Sequence, residues 1–362
     1  MKRLAAAFLV LLLILGLAAP SARRGWEAVL LLADLAGHPL VTPATTRQEI
    51  AYTVDGRSHR GDLYGSGNSA SLILVPGAAA AGKDDPRLVG LAHGLARAGW
   101  RVLVPDIPGA RALKISTADA LDIADAVRHV TVQGGRTAVA AVSYAAVPAI
   151  LAALEPGVAD QVAVIAAIGS PFDAVRVVTF FTTGFWRAAP DQSWRRLEPN
   201  AYGKWVFVLS NADRLDDSGD RTLLAAIVRR KLSDPAAAID DLVRRLGPQG
   251  RSVMALLDNT APERVPELLT ALPPDLATEI ARLDLARRDL SELRAELLVI
   301  HGTDDRIVPV GEGVALARAV PHSSLYVLNN LAHADLKPGG LGDAVTPWQA
   351  VHRLLEWRDR IG

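Results

Sequence analysis

The sequence predicts an α/β fold: a mostly parallel β-sheet with helices on both faces and a helical cap inserted into it. Three observations carry this. Between residues 71 and 167, short apolar runs alternate with stretches of helical spacing. Near Pro171 the alternation stops, and mainly helical patterns follow as far as residue 291. It resumes at Glu296 and continues to the C-terminus, so one sheet domain (50–170 and 293–362) is interrupted by an insertion at 171–292.

The elements follow in order. Residues 50–66, IAYTVDGRSHRGDLYGS, read as two extended segments joined at Asp55 and Gly56, a hairpin signal. Ser71 to Val75, Arg101 to Val104, Thr137 to Val142 and Val162 to Ala167 read as strands. Leu88 to Ala98, Ala118 to Val130 and Ala145 to Leu154 lie between them as helices. Inside the insertion, Arg221 to Leu232, Ala236 to Leu246 and Val265 to Leu272 have helical spacing, whereas WVFVLS (205–210) looks extended. Glu296 to Ile300 and Ser324 to Leu328 are then strands, followed by a last helix over Pro347 to Arg358 with another near Val314 to Ala319.

Composition narrows the classes of function. The 39 basic and 39 acidic residues cancel, so no net field draws the chain to nucleic acid. There is no cysteine, which removes disulfides, thiolate nucleophiles and cysteine metal sites. The histidines at 38, 59, 93, 129, 322 and 352 form no metal motif, and GAAAAGK lacks the spacing of a phosphate loop, so no metal or cofactor is expected.

The N-terminus points to the cell envelope. MKR precedes Leu4 to Ala22, nineteen residues without a charge. A positive start and an apolar run form either a membrane anchor or an export signal. Because LAAPSA offers no clean cleavage pair, the residues favour an uncleaved anchor at 1–22, with a periplasmic domain behind it. Residues 23–49 form a juxtamembrane segment in which Trp26, Val29, Leu30 and Ala33 share a helical face and the helix ends near Ala36. This helix is expected either at the bilayer surface or packed on the main domain.

Each strand of the sheet domain ends in a polar residue. In an open parallel sheet the carboxyl ends of the strands form the ligand-binding edge. Ser143, in AAVSYAAV, follows one strand; Asp305, in HGTDDRIVP, follows a second; His333, in NNLAHAD, follows a third. A serine hydroxyl is a weak nucleophile, a histidine can take its proton, and a carboxylate can fix the imidazole tautomer. The backbone N–H groups of Tyr144 and Ala78 are candidates for an oxyanion site. Phe180, Phe181, Phe185 and Trp186, in VVTFFTTGFW, open the insertion next to a strand end and are candidates for a hydrophobic acyl pocket.

The order Ser, Asp, His resembles that of the α/β-hydrolase superfamily, in its exported or membrane-attached bacterial esterase-like branch. The resemblance covers roughly residues 50 to 360. HGTDDRIVP is similar to that family's acid loop and selects Asp305 over Asp304; LAHAD is similar to its histidine loop, and VPGAAA stands where the oxyanion glycine motif occurs. Ala141 and Ala145 replace the glycines that usually flank the nucleophile, and Pro76 replaces a common histidine. The resemblance implies a serine hydrolase of carboxylesterase type that needs no cofactor, acts on a small acyl substrate and passes through an acyl-enzyme. The other class left open is a non-catalytic envelope protein that uses the same fold to bind a partner or lipid.

Overall fold

A computed structural model describes residues 20–36, 45–65, 69–132, 134–333, 335–336 and 341–362. The expected anchor or signal lies, up to residue 19, outside the described residues. Among those that are described, no helix is long and apolar enough to cross a membrane.

Eight strands form one sheet: β1 (Arg47–Val54), β2 (Arg57–Tyr64), β3 (Ser71–Val75), β4 (Arg101–Pro105), β5 (Thr137–Val142), β6 (Val162–Ile168), and, past a two-residue hairpin of β7 (Phe185–Trp186) and β8 (Arg195–Arg196), β9 (Glu296–Gly302) and β10 (Ser323–Leu328). Their spatial order is β1-β2-β4-β3-β5-β6-β9-β10. β2 runs antiparallel to both β1 and β4, and every pairing from β4 to β10 is parallel. The β1–β2 turn places Asp55 at φ 49° and Gly56 at φ 78°, the two left-handed residues that a tight hairpin demands.

Alternation along the strands assigns the two faces. Ile73, Val75, Val139, Ala141, Ile165 and Val299 face one core, closed by α3 (Pro108–Arg111), α4 (Asp119–Val130), α5 (Ala146–Leu154) and a later helix, Val310–Ala319. Leu72, Leu74, Ala140, Ala166 and Leu298 face the other, covered by α1 (described over 20–35), α2 (Pro86–Arg97) and the C-terminal helix Val345–Ile361. Both faces are apolar because both are covered, which is why these strands read as continuous apolar runs rather than as half-polar ones.

The chain between β6 and β9 holds α6 (Ala174–Thr183), α7 (Ala201–Asn211), α8 (Ser218–Ser233), α9 (Asp240–Val243), α10 (Pro248–Leu257), α11 (Val265–Thr270) and α12 (Pro274–Arg282). The helices after β9 are α13 (Val310–Ala319) and α14 (Val345–Ile361). The insertion buries a separate core, with Phe181, Trp205, Ile227, Met254, Leu257 and Val265 among its members.

Two expectations fail here. WVFVLS is not extended but forms the middle of α7, since a continuous apolar run has no period to separate a buried helix from a strand. The helix expected over Ala236 to Leu246 shrinks to the single turn α9. Ahead of it, Asp234 turns the chain by accepting the Ala236 N–H at 2.9 Å, an Asx turn that competes with helix.

α1 packs on the domain, though not with the face expected. Ala28 and Leu31 are buried against α2 and α14, whereas Trp26 is 58% exposed and Val29 37%. Three ion pairs reinforce the docking: Arg24 to Asp359 at 3.2 Å, Glu27 to Arg358 at 2.8 Å and Asp34 to Arg97 at 2.6 Å. The indole N–H of Trp348 also donates to the Gly25 carbonyl at 2.9 Å. The stripe that docks alternates small and large residues, which lets α1 lie close to its neighbours, and the bulkier Trp26 is left outside.

Candidate active site

The site is built from the carboxyl ends of adjacent parallel strands. β5 ends at Val142, Ser143 opens a single 3₁₀ turn, and α5 starts at Ala146. Ser143 has φ 60°, a left-handed conformation that a non-glycine residue adopts at a cost of roughly 1–3 kcal/mol. Such a turn drives the strand straight into the helix and leaves the side chain at the sheet edge. Ala141 and Ala145, 0% and 1% exposed, sit tightly on either side, and their methyl groups fit where larger side chains would force strand and helix apart.

β9 delivers the carboxylate. Asp305 is fully buried, and its Oδ1 accepts the N–H groups of Ile307 at 2.8 Å and Val308 at 2.9 Å. Its Oδ2 faces His333 Nδ1 at 2.8 Å. Burial pushes the Asp305 carboxyl up, but the His333 hydrogen bond, the neighbouring imidazoles and the Val308 N–H outweigh it and hold the group below the usual carboxylate range. Asp304 is exposed and makes no such contact.

Beyond β10, the short strands β11 (Leu331–Ala332) and β12 (Asp335–Leu336) pair antiparallel and put His333 in the turn between them, at φ 56°. An ionised carboxylate can only accept, so His333 Nδ1 carries a proton and the lone pair of Nε2 faces the Ser143 hydroxyl at 2.8 Å. Ser143, His333 and Asp305 thus form one hydrogen-bonded chain. A Cβ added at Gly77 would lie 3.6 Å from Ser143 Cβ, so the loop that carries Ala78 runs beside Ser143. Tyr144 is the second residue of the 3₁₀ turn, where the first N–H groups have no partner within the helix.

Three residues absent from the sequence reading shape this arrangement. Gly169, at the end of β6, has φ 62°, and a Cβ there would sit 3.3 Å from His333 Nδ1 and 3.4 Å from Asp305 Oδ2. His301 lies fully buried behind the acid, with Nε2 donating to the Val308 carbonyl at 2.9 Å, so it braces the acid loop. Burial lowers its pKa against the opposing pulls of Asp305 and the Val308 carbonyl. Asp119 of α4 accepts the Tyr144 hydroxyl at 3.0 Å and ties the elbow to the helix behind it. The signals were present as IGS, HGTDD and TADA, but nothing local showed what each would touch.

A cavity of about 1030 Å³ opens at Ser143 and His333. Phe181 lines it, as do Phe172, Tyr202 and Phe207. Phe180, Phe185 and Trp186 do not, contrary to expectation. Neighbouring residues of a helix point about 100° apart, so with Phe181 towards the cavity Phe180 turns into the interior, where it is fully buried. Phe185 and Trp186 sit in the β7–β8 hairpin, under the guanidinium groups of Arg196 and Arg195. Tyr202 links the insertion to the proposed oxyanion loop by donating its hydroxyl to the Ala78 carbonyl at 3.3 Å. No group of three His, Asp or Glu side chains among the described residues could hold a metal ion.

Comparison with known proteins bears on the fold. No family model matches the chain. The 2-hydroxy-6-oxononadienedioate/2-hydroxy-6-oxononatrienedioate hydrolase 2 of Pseudomonas putida is 43% identical over 44 residues, 12% of this chain and 15% of that protein. The match therefore spans a small part of either chain. Among solved structures, a protein designated a hydrolase from Legionella pneumophila superposes with a TM-score of 0.59 at 14% identity, covering 92% of this chain and 94% of the other. Another designated a lipase, from Acinetobacter baumannii, gives a TM-score of 0.48 at 16% identity over 92% and 97% of the two chains. The 2-hydroxy-6-oxo-6-phenylhexa-2,4-dienoate hydrolase of a Rhodococcus strain gives 0.44 at 16% identity over 88% and 100%. At such identities the likeness is one of fold.

The strained elbow predicts a stability order. Ser143→Gly removes the left-handed penalty and is expected to resist urea more than Ser143→Ala, by about 1 kcal/mol. Equal midpoints would show that the turn stores no strain. Asp119 predicts a pH effect. Burial, with smaller contributions from Asp122 and Glu279, pushes its carboxyl up to about 6 against the Tyr144 hydrogen bond. Between about pH 4 and 6 the unfolded chain loses this proton while the folded one keeps it, so the stability contributed falls as pH rises through that window. Asp119→Asn cannot ionise. Its melting temperature relative to the unaltered protein is therefore expected to climb between pH 4 and 6.5, and a constant difference by calorimetry would refute the assignment.

Proposed function

We propose that this chain, whose fold is that of the α/β-hydrolases, is a serine hydrolase that cleaves an ester or related acyl bond. The observation that carries the reading is the continuous hydrogen-bonded chain Ser143–His333–Asp305 at the mouth of a largely apolar cavity.

The chemistry follows from these positions. Ser143 Oγ attacks the acyl carbon as its proton passes to His333 Nε2, and Asp305 stabilises the imidazolium that results. Negative charge builds on the former carbonyl oxygen, and in this reading the N–H groups of Tyr144 and Ala78 receive it. The bond to the leaving group breaks, and His333 returns the proton to the departing oxygen. Water then attacks the acyl-Ser143 ester, giving its proton to His333. As the C–Oγ bond breaks, that proton goes back to Ser143 and a carboxylic acid leaves. Asp305 needs to stay ionised throughout, which its depressed pKa favours.

A fluorophosphonate probe is expected to label the purified protein at Ser143, and Ser143→Ala to abolish the adduct. Labelling that survives the substitution would sink the assignment, and a folded protein that neither takes the label nor cleaves any ester would favour the non-catalytic binding role. Asp305→Asn is expected to lower turnover by on the order of 10⁴, as when an imidazole loses its fixed tautomer. Asp304→Asn is expected to cost far less, and the reverse ranking would move the acid by one residue.

We also propose that residues 1–22 anchor the chain in the inner membrane with the hydrolase domain on the periplasmic side. In support, the exposed Trp26 and Val29 lie just after the apolar segment, at the position where a bilayer surface would meet α1. Full-length chain is expected to stay in the membrane pellet after alkaline carbonate extraction, and to be digested by protease added to spheroplasts. A soluble periplasmic form that starts after Ala22 would instead identify a cleaved signal.

A further inference from the structure

The residues that line the cavity at Ser143 fall in two groups. Phe181 and Phe207 belong to the insertion; the others, which bound what we call the second arm, belong to α1, α2 and α14. The second arm is walled by Leu31 and Leu35 of α1, Leu91 of α2 and Leu354 of α14, with Ala140 and Ala166 as its floor. Those two alanines are paired across β5 and β6, so adjacent strands both present a methyl group there, as Ala138 does two residues earlier on the same face of β5. Charged residues line the cavity here too: Asp85 and Arg87 at the start of α2, and Asp34 of α1, which is paired with Arg97 at the other end of α2.

Two glycines of α2 mark how the arm is bounded. At Gly94 a Cβ would come within 2.6 Å of Leu31 Cδ1, which shows how closely α1 is seated there. One turn earlier, the exposed Gly90 also lines the cavity, and among the described residues a Cβ there would meet nothing within 4 Å. α1 and α2 therefore touch at Gly94 and part at Gly90. The total volume lies at the upper limit of the roughly 300–1,000 Å³ common for small-molecule sites, more than a short acyl group fills.

We infer that this second arm receives a long alkyl chain of the substrate, so that the enzyme acts on long-chain esters with one apolar chain held between α1, α2 and α14. The inference rests on the hydrolase reading for its chemistry, but the arm itself can be tested without turnover. The rate comparison uses p-nitrophenyl butanoate and p-nitrophenyl hexadecanoate with the full chain in detergent micelles. The ratio of kcat/KM for the long ester to that for the short one is expected to exceed one, and to fall at least tenfold in Gly90→Trp, which places an indole in the open space. Leu35→Trp, which narrows the arm from α1 instead, is expected to act in the same direction. An unchanged ratio in both variants, with circular dichroism and melting temperature retained, would overturn the inference. Hexadecanoate binding to Ser143→Ala, measured by calorimetry, gives the second readout. Binding that is lost in Ser143→Ala/Gly90→Trp supports the arm even if the fluorophosphonate label fails, so the two readings fail separately. Binding that persists undiminished in the double variant would overturn the arm while leaving the nucleophile assignment intact.

Discussion

The left-handed turn at Ser143 is the constraint on which the site depends. A serine at φ 60° persists only where its surroundings over-determine it, and here they do so from two sides. β5 is hydrogen-bonded to β3 and β6 up to the turn, and α5 is packed against the same core behind it. Ala141 and Ala145 allow those two elements to approach. The anchoring of Tyr144 to Asp119 adds a polar tie at the point where the turn could relax.

The other two members arrive by different means, and both depend on the sheet. Asp305 is held by two backbone N–H groups of its own loop, with the buried His301 behind it. His333 sits at the tip of a small antiparallel hairpin, also at positive φ. Gly169 leaves room for the pair, because β6 ends beside them and a Cβ there would crowd both His333 Nδ1 and Asp305 Oδ2. Four strand ends, those of β5, β6, β9 and β10, thus converge on one hydrogen-bonded chain.

The apolar volume around that chain comes from elements that flank the sheet. The insertion buries its own core and turns one side of α6 and α7 towards the serine. On the opposite side, α1 closes a space that α2 and α14 leave between them. Its ion pairs run to Asp359, Arg358 and Arg97, and Ala28 and Leu31 form the apolar middle of the contact. Such a helix is held by charges that are partly exposed and by a modest apolar stripe, so it contributes less to stability than the buried strands do.

The sequence by itself determined the order of the elements in the sheet domain, the hairpin at Asp55 and Gly56, and the placement of Ser143, Asp305 and His333 after three of its strands. Those features are written in local terms: periodicity, turn chemistry and the position of a polar residue just past an apolar run. It could not decide WVFVLS, because a run without period suits a buried helix as well as a strand, and only its packing against the insertion's core makes it α7. Nor could it decide which of Phe180 and Phe181 faces the cavity, or which stripe of α1 docks, since both depend on the rotation of a helix about its axis relative to neighbours far away in the chain. The contacts of Gly169 with the His333–Asp305 pair, of His301 with the acid loop, and of Leu31 with Gly94 belong to the tertiary structure alone. Each joins residues of separate elements through distances that no local pattern encodes.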